Sequence, residues 1–216
     1  MSENEPKFRR EPAQQRKEAL IEATLTLIAE QGIRGATVRE IAKRAEVTQG
    51  LIRHYFSSKE ELISAAYEYH MKVMTQLTEG TDLQANTSGK TRLVRFVESG
   101  LTPPVVDPRA VSLWAGFLNK VRADAQMFEI HEQTYHDFRG RLEALIGEAL
   151  NEANILITPP RLRSLAIACN AVMDGLWMEG GALPDAFEPE ELPRIGLESI
   201  SAIIGLELTQ TTEGQS

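Results

Sequence analysis

Four neighbouring residues, Gln49, Gly50, Arg53 and His54, have the types and spacing to read base-pair edges. Arg can donate two hydrogen bonds to guanine O6 and N7, and Gln can pair in the same way with adenine N6 and N7. A glycine among them lets a base or sugar approach the backbone closely. Thr37, Arg39, Thr48, Tyr55 and Lys59 flank the set at helix starts and groove edges, where hydroxyls, amides and cations meet phosphates and fix register. A second group is aromatic: Trp114, Phe117, Phe128, Tyr135, Phe138 and Trp177, with Asp174 three residues before Trp177. Aromatic rings with a nearby carboxylate are the chemistry that holds a quaternary ammonium cation. The same rings also suit plain core packing, since large aromatics dominate cores.

Enzyme chemistry finds no such footing. Gly89-Lys90-Thr91 resembles the end of a phosphate-binding loop, but the required first glycine falls on Gln84 and no strand precedes it. His131 and His136 stand five residues apart, which puts them about 140° apart around a helix rather than on one metal-binding face, and solvated histidines beside Glu132 and Asp137 are the expected reading. There is no Gly-x-Ser-x-Gly elbow and no dinucleotide fingerprint. The chain is therefore expected not to be an enzyme and to need neither cofactor nor metal. Its single cysteine, Cys169, excludes a disulfide scaffold; a buried core thiol in a reducing cytoplasm is the expected setting.

The base-reading set must be positioned by helices. Thr37 is an N-cap with Glu40 completing a capping box, and Val38, Ile41, Ala42 and Ala45 form one apolar stripe. After a turn plugged by Val47, Thr48 caps a second helix from Gln49 to about Tyr55. Leu51/Tyr55 and Ile52/Phe56 on it pair inward, leaving Gln49, Gly50, Arg53 and His54 outward. Helices this short are marginal alone and must be packed. Helix, three-residue turn, helix is the helix-turn-helix, whose second helix enters the DNA major groove; on pattern alone, a helical hairpin with a solvated polar face fits as well.

A preceding helix from about Ala13 to Gln31, with Leu20, Ala23, Thr24, Leu27 and Ile28 on one face and Gly32 as its stop, is expected to cover the pair. Ser57 and Ser58 with Glu60 and Glu61 form another capping box for a fourth helix to about Thr78. Residues 79–89 are turn-rich and mark the best boundary. Beyond them lie helices over about 89–101, 107–122, 125–154, 158–180 and 190–208, the fourth of them capped by Thr158. No run alternates like a strand, so the class is all-α. The last two helices are apolar on broad faces: Leu165, Ala168, Cys169, Val172, Met173 and Leu176, then Ile195, Leu197, Ile200, Ile203, Ile204 and Leu206. Such faces fit burial in a bundle larger than one chain provides.

The net charge of −8 looks wrong for a DNA binder until it is divided along the chain. Residues 1–57 hold ten Lys+Arg against eight Asp+Glu, and the remainder thirteen against twenty-three. What phosphates feel is the local field within about 8–10 Å. A hydrophobic content of 42% and a charged content of 25% are ordinary for a soluble globular protein, and no stretch of about 18 apolar residues could span a membrane.

From about Arg16 to Leu62, the pattern Val38-x-x-Ile41-Ala42-x-x-Ala45-x-Val47-x-x-Gly50 and His54-Tyr55-Phe56-x-x-Lys59-x-x-Leu62 resembles the DNA-binding domain of the TetR family of transcriptional regulators. Ser112-Leu113-Trp114-Ala115-Gly116-Phe117 and Asp174-Gly175-Leu176-Trp177 resemble the BetI-type branch, which represses choline-to-glycine-betaine genes and responds to choline. The sequence departs from that branch at Leu118, where a second aromatic is usual. The resemblance implies an all-α, TetR-like protein of about nine helices: a disordered basic arm (1–12), a three-helix helix-turn-helix DNA-binding domain (13–57), a connecting helix (58–78), a helical ligand-binding and dimerisation domain (79–208) and a frayed tail (209–216). It implies a ligand-responsive repressor, a homodimer through the last two helices, that binds a palindromic operator and is released by a small molecule, with choline or a related quaternary ammonium compound as the candidate. The alternative is a helical small-molecule-binding protein without a DNA role.

Overall fold

A computed structural model of the chain describes residues 10–79 and 87–208. Most of the expected arm, the turn-rich 80–86 and the expected tail 209–216 lie outside the described residues. The rest forms nine helices: α1 (Arg10–Gly35), α2 (Val38–Arg44), α3 (Gln49–Tyr55), α4 (Lys59–Glu79), α5 (Gly89–Gly100), α6 (Pro108–Val121), α7 (Ala125–Glu152), α8 (Pro159–Ala182) and α9 (Glu191–Ile204). No strand occurs among the described residues.

The helix ends follow from local chemistry. α1 starts three residues before the expected position, because Pro12 falls in a first turn that has no use for its missing N–H. Its regular course breaks where expected, at Gly32 (φ 71°). Asp107 caps α6, its Oδ1 accepting from Arg109 N at 2.8 Å and Ala110 N at 3.2 Å. Thr158, expected to cap α8, makes no side-chain cap bond; prolines fill the first two positions, so one of the N–H groups it would have met does not exist. α9 ends four residues before the expected Leu208. Gly205 turns left-handed (φ 72°), and Ser201 closes the end: its carbonyl accepts Gly205 N–H at 2.9 Å and its Oγ accepts Leu208 N–H at 3.0 Å.

The chain packs as two compact units, the first comprising residues up to Met71 together with Ser112–His131 and the second Lys72–Val111 together with residues from Glu132 on. In the first, all five residues of the expected α1 face (Leu20, Ala23, Thr24, Leu27, Ile28) are buried. They join Ile41 and Ala42 of α2, Ile52 of α3, Leu62, Ile63, Ala66 and Tyr67 of α4, and Leu113, Phe117 and Val121 of α6. Each fully buried large aliphatic contributes roughly 1.5–3 kcal/mol, which is what holds the short α2 and α3 in helical form.

The second unit is built on α5, α7, α8 and α9, with Leu93, Phe96 and Val97, then Leu142 and Ile146, Leu165, Cys169 and Met173, and Ile200 and Ile204 at its centre. Much of the apolar surface expected to need a partner chain is thus used internally: Leu165, Cys169, Met173, Leu197, Ile200 and Ile204 are all buried within this chain. A narrower set remains outward, with Ile167, Ala171, Gly175 and Met178 exposed on α8. On α9, Ile195 and Ile203 are half-buried and Ala202 is exposed. No described helix is long and apolar enough to cross a membrane.

Candidate nucleic-acid interface and effector residues

The helix-turn-helix is set by two threonine caps. Thr37 Oγ1 accepts from Glu40 N at 3.2 Å, and Thr48 Oγ1 accepts from Leu51 N at 3.3 Å. The Thr37 box is half made, since the Thr37 N–H goes to Gly35 O at 2.8 Å instead of to the Glu40 side chain. The turn from α2 passes through Glu46 in the left-handed region (φ 55°), and Val47 N closes it on Ala42 O at 2.9 Å. Val47 then packs half-buried against the first unit's core, as do Val38 and Ala45. Ile52 and Phe56 face inward with 2% and 3% exposure; Tyr55 and Leu51 are half-buried.

Gln49, Gly50, Arg53 and His54 are consequently all exposed on one short helix, and Thr37, Arg39 and Thr48 are exposed beside it. Gly50 has a helical backbone, and a Cβ added to it would meet nothing nearer than Thr48 Oγ1 at 3.7 Å, an ordinary contact. Neither conformation nor internal packing requires glycine there. Arg39 and Arg53 have no ion pair among the described residues.

Several basic residues of the same cluster are committed elsewhere. Arg44 clasps Glu30 with two hydrogen bonds, 3.0 and 2.6 Å, which raises its pKa. Lys59 donates to Ile33 O at 3.3 Å, spending one of its three donors on the end of α1. Lys17 Nζ lies 5.5 Å from the Phe56 ring centroid. The Ser58 hydroxyl caps α4 at Glu61 N (3.0 Å), while Glu61 accepts from both the N–H (2.6 Å) and the hydroxyl of Ser57, which draws its carboxyl below the usual range.

The expected effector residues divide between the two packing units. In the first, Phe117 is fully buried with its ring 4.9 Å from that of Tyr67, Trp114 is half-buried, and Phe128 is 52% exposed. Phe117 therefore belongs to a core cluster. In the second unit, Phe138 packs on Phe96 at 5.2 Å, and Trp177 Nε1 donates to Val105 O at 2.8 Å. Tyr135 and Asp174 are half-buried. Burial pushes the Asp174 carboxyl up to about 6, against the pull of a hydrogen bond from Asn170. Phe138, Asp174 and Trp177 thus sit in the second unit with rings and carboxyl ordered by their neighbours.

One expectation fails outright. His131 is not solvated: it is half-buried, 2.6 Å from the Tyr67 hydroxyl through Nδ1, and burial lowers its pKa. The signal in the sequence was the apolar spacing around it (Met127, Ile130), which places His131 at the edge of the same face. His136, by contrast, is exposed beside Asp137. Among the described residues no group of acidic, cysteine and histidine side chains could hold a metal.

Residues 20–66 match the profile of the bacterial regulatory proteins of the tetR family, and residues 89–205 match that of the C-terminal domain of BetI-type transcriptional repressors. The HTH-type transcriptional regulator BetI of Stenotrophomonas maltophilia (strain R551-3) is 27% identical over 180 residues, 83% of this chain and 88% of the relative. A crystal structure from Pseudomonas aeruginosa PAO1, described as a transcriptional regulator, superposes with a TM-score of 0.78 at 30% identity over 91% of each chain. A structure from Saccharomonospora viridis, solved in complex with choline, shares the fold at a TM-score of 0.73 and 18% identity, covering 87% of this chain and 96% of that one.

Proposed function

This chain belongs to the TetR family of bacterial transcriptional regulators, with the C-terminal domain of the BetI-type repressors, and from that premise we infer a repressor that reads a palindromic operator as a homodimer and releases it when a quaternary ammonium effector such as choline binds. Gln49, Gly50, Arg53 and His54 read base edges; Thr37, Arg39, Thr48, Tyr55 and Lys59 hold the phosphates. The observation that carries this reading is Gly50, a glycine that nothing inside the chain requires, set in the first turn of a helix that exposes Gln49, Arg53 and His54. A side chain is missing there because another surface comes close.

Dimerisation is supported by the outward apolar positions of α8 and α9, where small residues (Ala171, Gly175, Ala202) alternate with Ile167, Met178 and Ile203. Small and large side chains of this kind allow two copies of one face to interlock about a two-fold axis. A dimer of such readers addresses two half-sites about 34–36 Å apart. The effector residues retained from the expected set are those of the second unit, Tyr135, Phe138, Asp174 and Trp177, with the carboxyl of Asp174 as the counter-charge for a cation; Phe117 serves the first unit's core instead. Binding energy that differs between DNA-competent and DNA-incompetent dimers by about 1–3 kcal/mol is enough for such a switch. The work is binding rather than bond-making, and its setting is the cytoplasm, where a lone reduced thiol such as Cys169 is at home.

A gel shift on the duplex upstream of the gene, with and without choline, tests the reading. The expected result is a discrete complex that weakens steeply with salt and dissolves with choline. Indifference to duplex DNA at low salt would leave a helical small-molecule-binding protein without a DNA role.

A further inference from the structure

On the inward side of α8, Asn170 and Asp174 stand one helical turn apart, and Trp177 follows at the next. Asn170 is 8% exposed, and its Nδ2 donates to Asp174 Oδ2 at 2.7 Å. Its Oδ1 is completely buried and has no hydrogen-bond partner among the described residues. Buried carbonyl oxygens are paired in nearly all native structures, so this atom marks a place that something else completes. An amide carbonyl can only accept, and so can an ionised carboxylate. The missing partner must therefore bring a donor, and beside a carboxylate a cation as well. Trp177 adds an indole whose own N–H is committed to Val105 O.

We propose that Asn170 is a specificity-determining residue of the effector site, its Oδ1 accepting a hydrogen bond from the hydroxyl of a quaternary ammonium alcohol whose cation lies against Asp174. The proposal rests on the effector reading given above and sharpens it. Choline carries the two required groups on a short link. Replacing its hydroxyl by methyl, as in propyltrimethylammonium, leaves Oδ1 unpaired. Glycine betaine is worse, because its carboxylate sets acceptors against acceptors. The site so built recognises the alcohol and refuses the acid. The arriving cation draws the Asp174 carboxyl, lifted by burial, back down and holds it ionised.

Isothermal titration of the full-length protein with choline, propyltrimethylammonium and glycine betaine tests this, in the wild type and in Asn170→Leu. The wild type is expected to prefer choline over propyltrimethylammonium by about tenfold, as one buried hydrogen bond allows, and to bind betaine weakest. In Asn170→Leu both ammonium compounds bind more weakly, because Asp174 loses the hydrogen bond that favours its ionised form, but choline loses about tenfold more, so that its preference over propyltrimethylammonium disappears. Equal wild-type affinity for choline and propyltrimethylammonium would overturn the proposal while leaving the effector reading intact, because Oδ1 would then be served by a buried water. An equal fold-loss of both ligands in a folded Asn170→Leu, with the preference for choline retained, would also overturn it, because the hydroxyl would then be recognised elsewhere. If neither ammonium compound binds the wild type, the effector reading falls and takes the proposal with it. Should Asn170→Leu fail to fold, the wild-type preference alone decides.

Discussion

The Tyr67 hydroxyl sits 2.6 Å from His131 Nδ1, joining α4 to α7 inside the first packing unit. Tyr67 is 1% exposed, and its ring also stacks near those of Phe117 and His131. Tyr67→Phe keeps the packing and strands the imidazole nitrogen, so it should cost about 1–3 kcal/mol in urea unfolding. The pH dependence has a definite sign. His131 resists protonation in the folded state, whereas in the unfolded chain it titrates near 6.5, so stability is lost as pH falls below that value. His131→Gln should flatten this acid limb; an unaltered limb would refute the assignment.

Gly50→Ala separates folding from reading. Ala favours a helix over Gly by about 1 kcal/mol, and the space around Gly50 accepts a methyl group. The melting temperature should rise while operator affinity drops at least severalfold. A variant that is both stabler and equally tight on DNA would remove the argument that DNA approaches the backbone at this position.

The basic residues should sort by their partners. Arg39→Ala is expected to weaken binding to all duplexes alike and to reduce the salt slope by about one. Arg53→Ala should cost about 1–3 kcal/mol and relax specificity at one base position. Arg44→Ala should barely move the slope, because its guanidinium is occupied by Glu30. Filter binding across a salt series distinguishes the three.

Asp174 predicts opposite responses of affinity and stability to pH. Its carboxyl titrates near 6 in the folded chain against 3.8 for a free one. A cation needs the ionised form, so choline affinity should climb between about pH 5 and 7 and then level off. Between about pH 4 and 6 the folded state holds a proton that the unfolded state has already released, so this group makes the protein less stable as pH rises through that lower window. Asp174→Asn should abolish the slope in choline affinity and remove this group's part of the stability profile, measured by titration and by thermal melts, and should leave the protein stabler at neutral pH but poor at binding choline.

Ala171→Arg or Gly175→Arg places a charge on the outward face of α8, where an added Cβ at Gly175 meets nothing within 4 Å. Sedimentation should show dimer converting to monomer with helicity preserved, and operator affinity should fall with it. A dimer that survives both changes would move the interface elsewhere.

What could be read in the chain was what depends on near neighbours. The limits of α3, the four outward residues on it and the buried face of α1 follow from caps and a 3.6-residue repeat, both of which are local. What could not be read was pairing across distance. Nothing at Arg44 announces Glu30, fourteen residues earlier, nor does anything at Lys59 announce the carbonyl of Ile33. His131 was misjudged because its polar neighbours Glu132 and Gln133 describe the other side of the helix, while its partner Tyr67 is sixty-four residues away. The apolar breadth of α8 was visible, but which half of it the chain keeps for itself depends on α5 and α9. Asn170 drew no notice in the sequence, since an unpaired oxygen exists only once the surrounding atoms are placed.

Leu113, Phe117, Val121 and Met127 contribute to the same buried cluster as α1 to α4, although more than thirty residues separate them from the end of α4. The reader is thus not a portable cassette. A recombination event that transplanted only the leading quarter of the gene onto a different sensor would deliver a headpiece with a hole in its base. Shuffling within this lineage has to carry α6 along, so the operator preference and the first stretch of the sensing half are inherited as a single package.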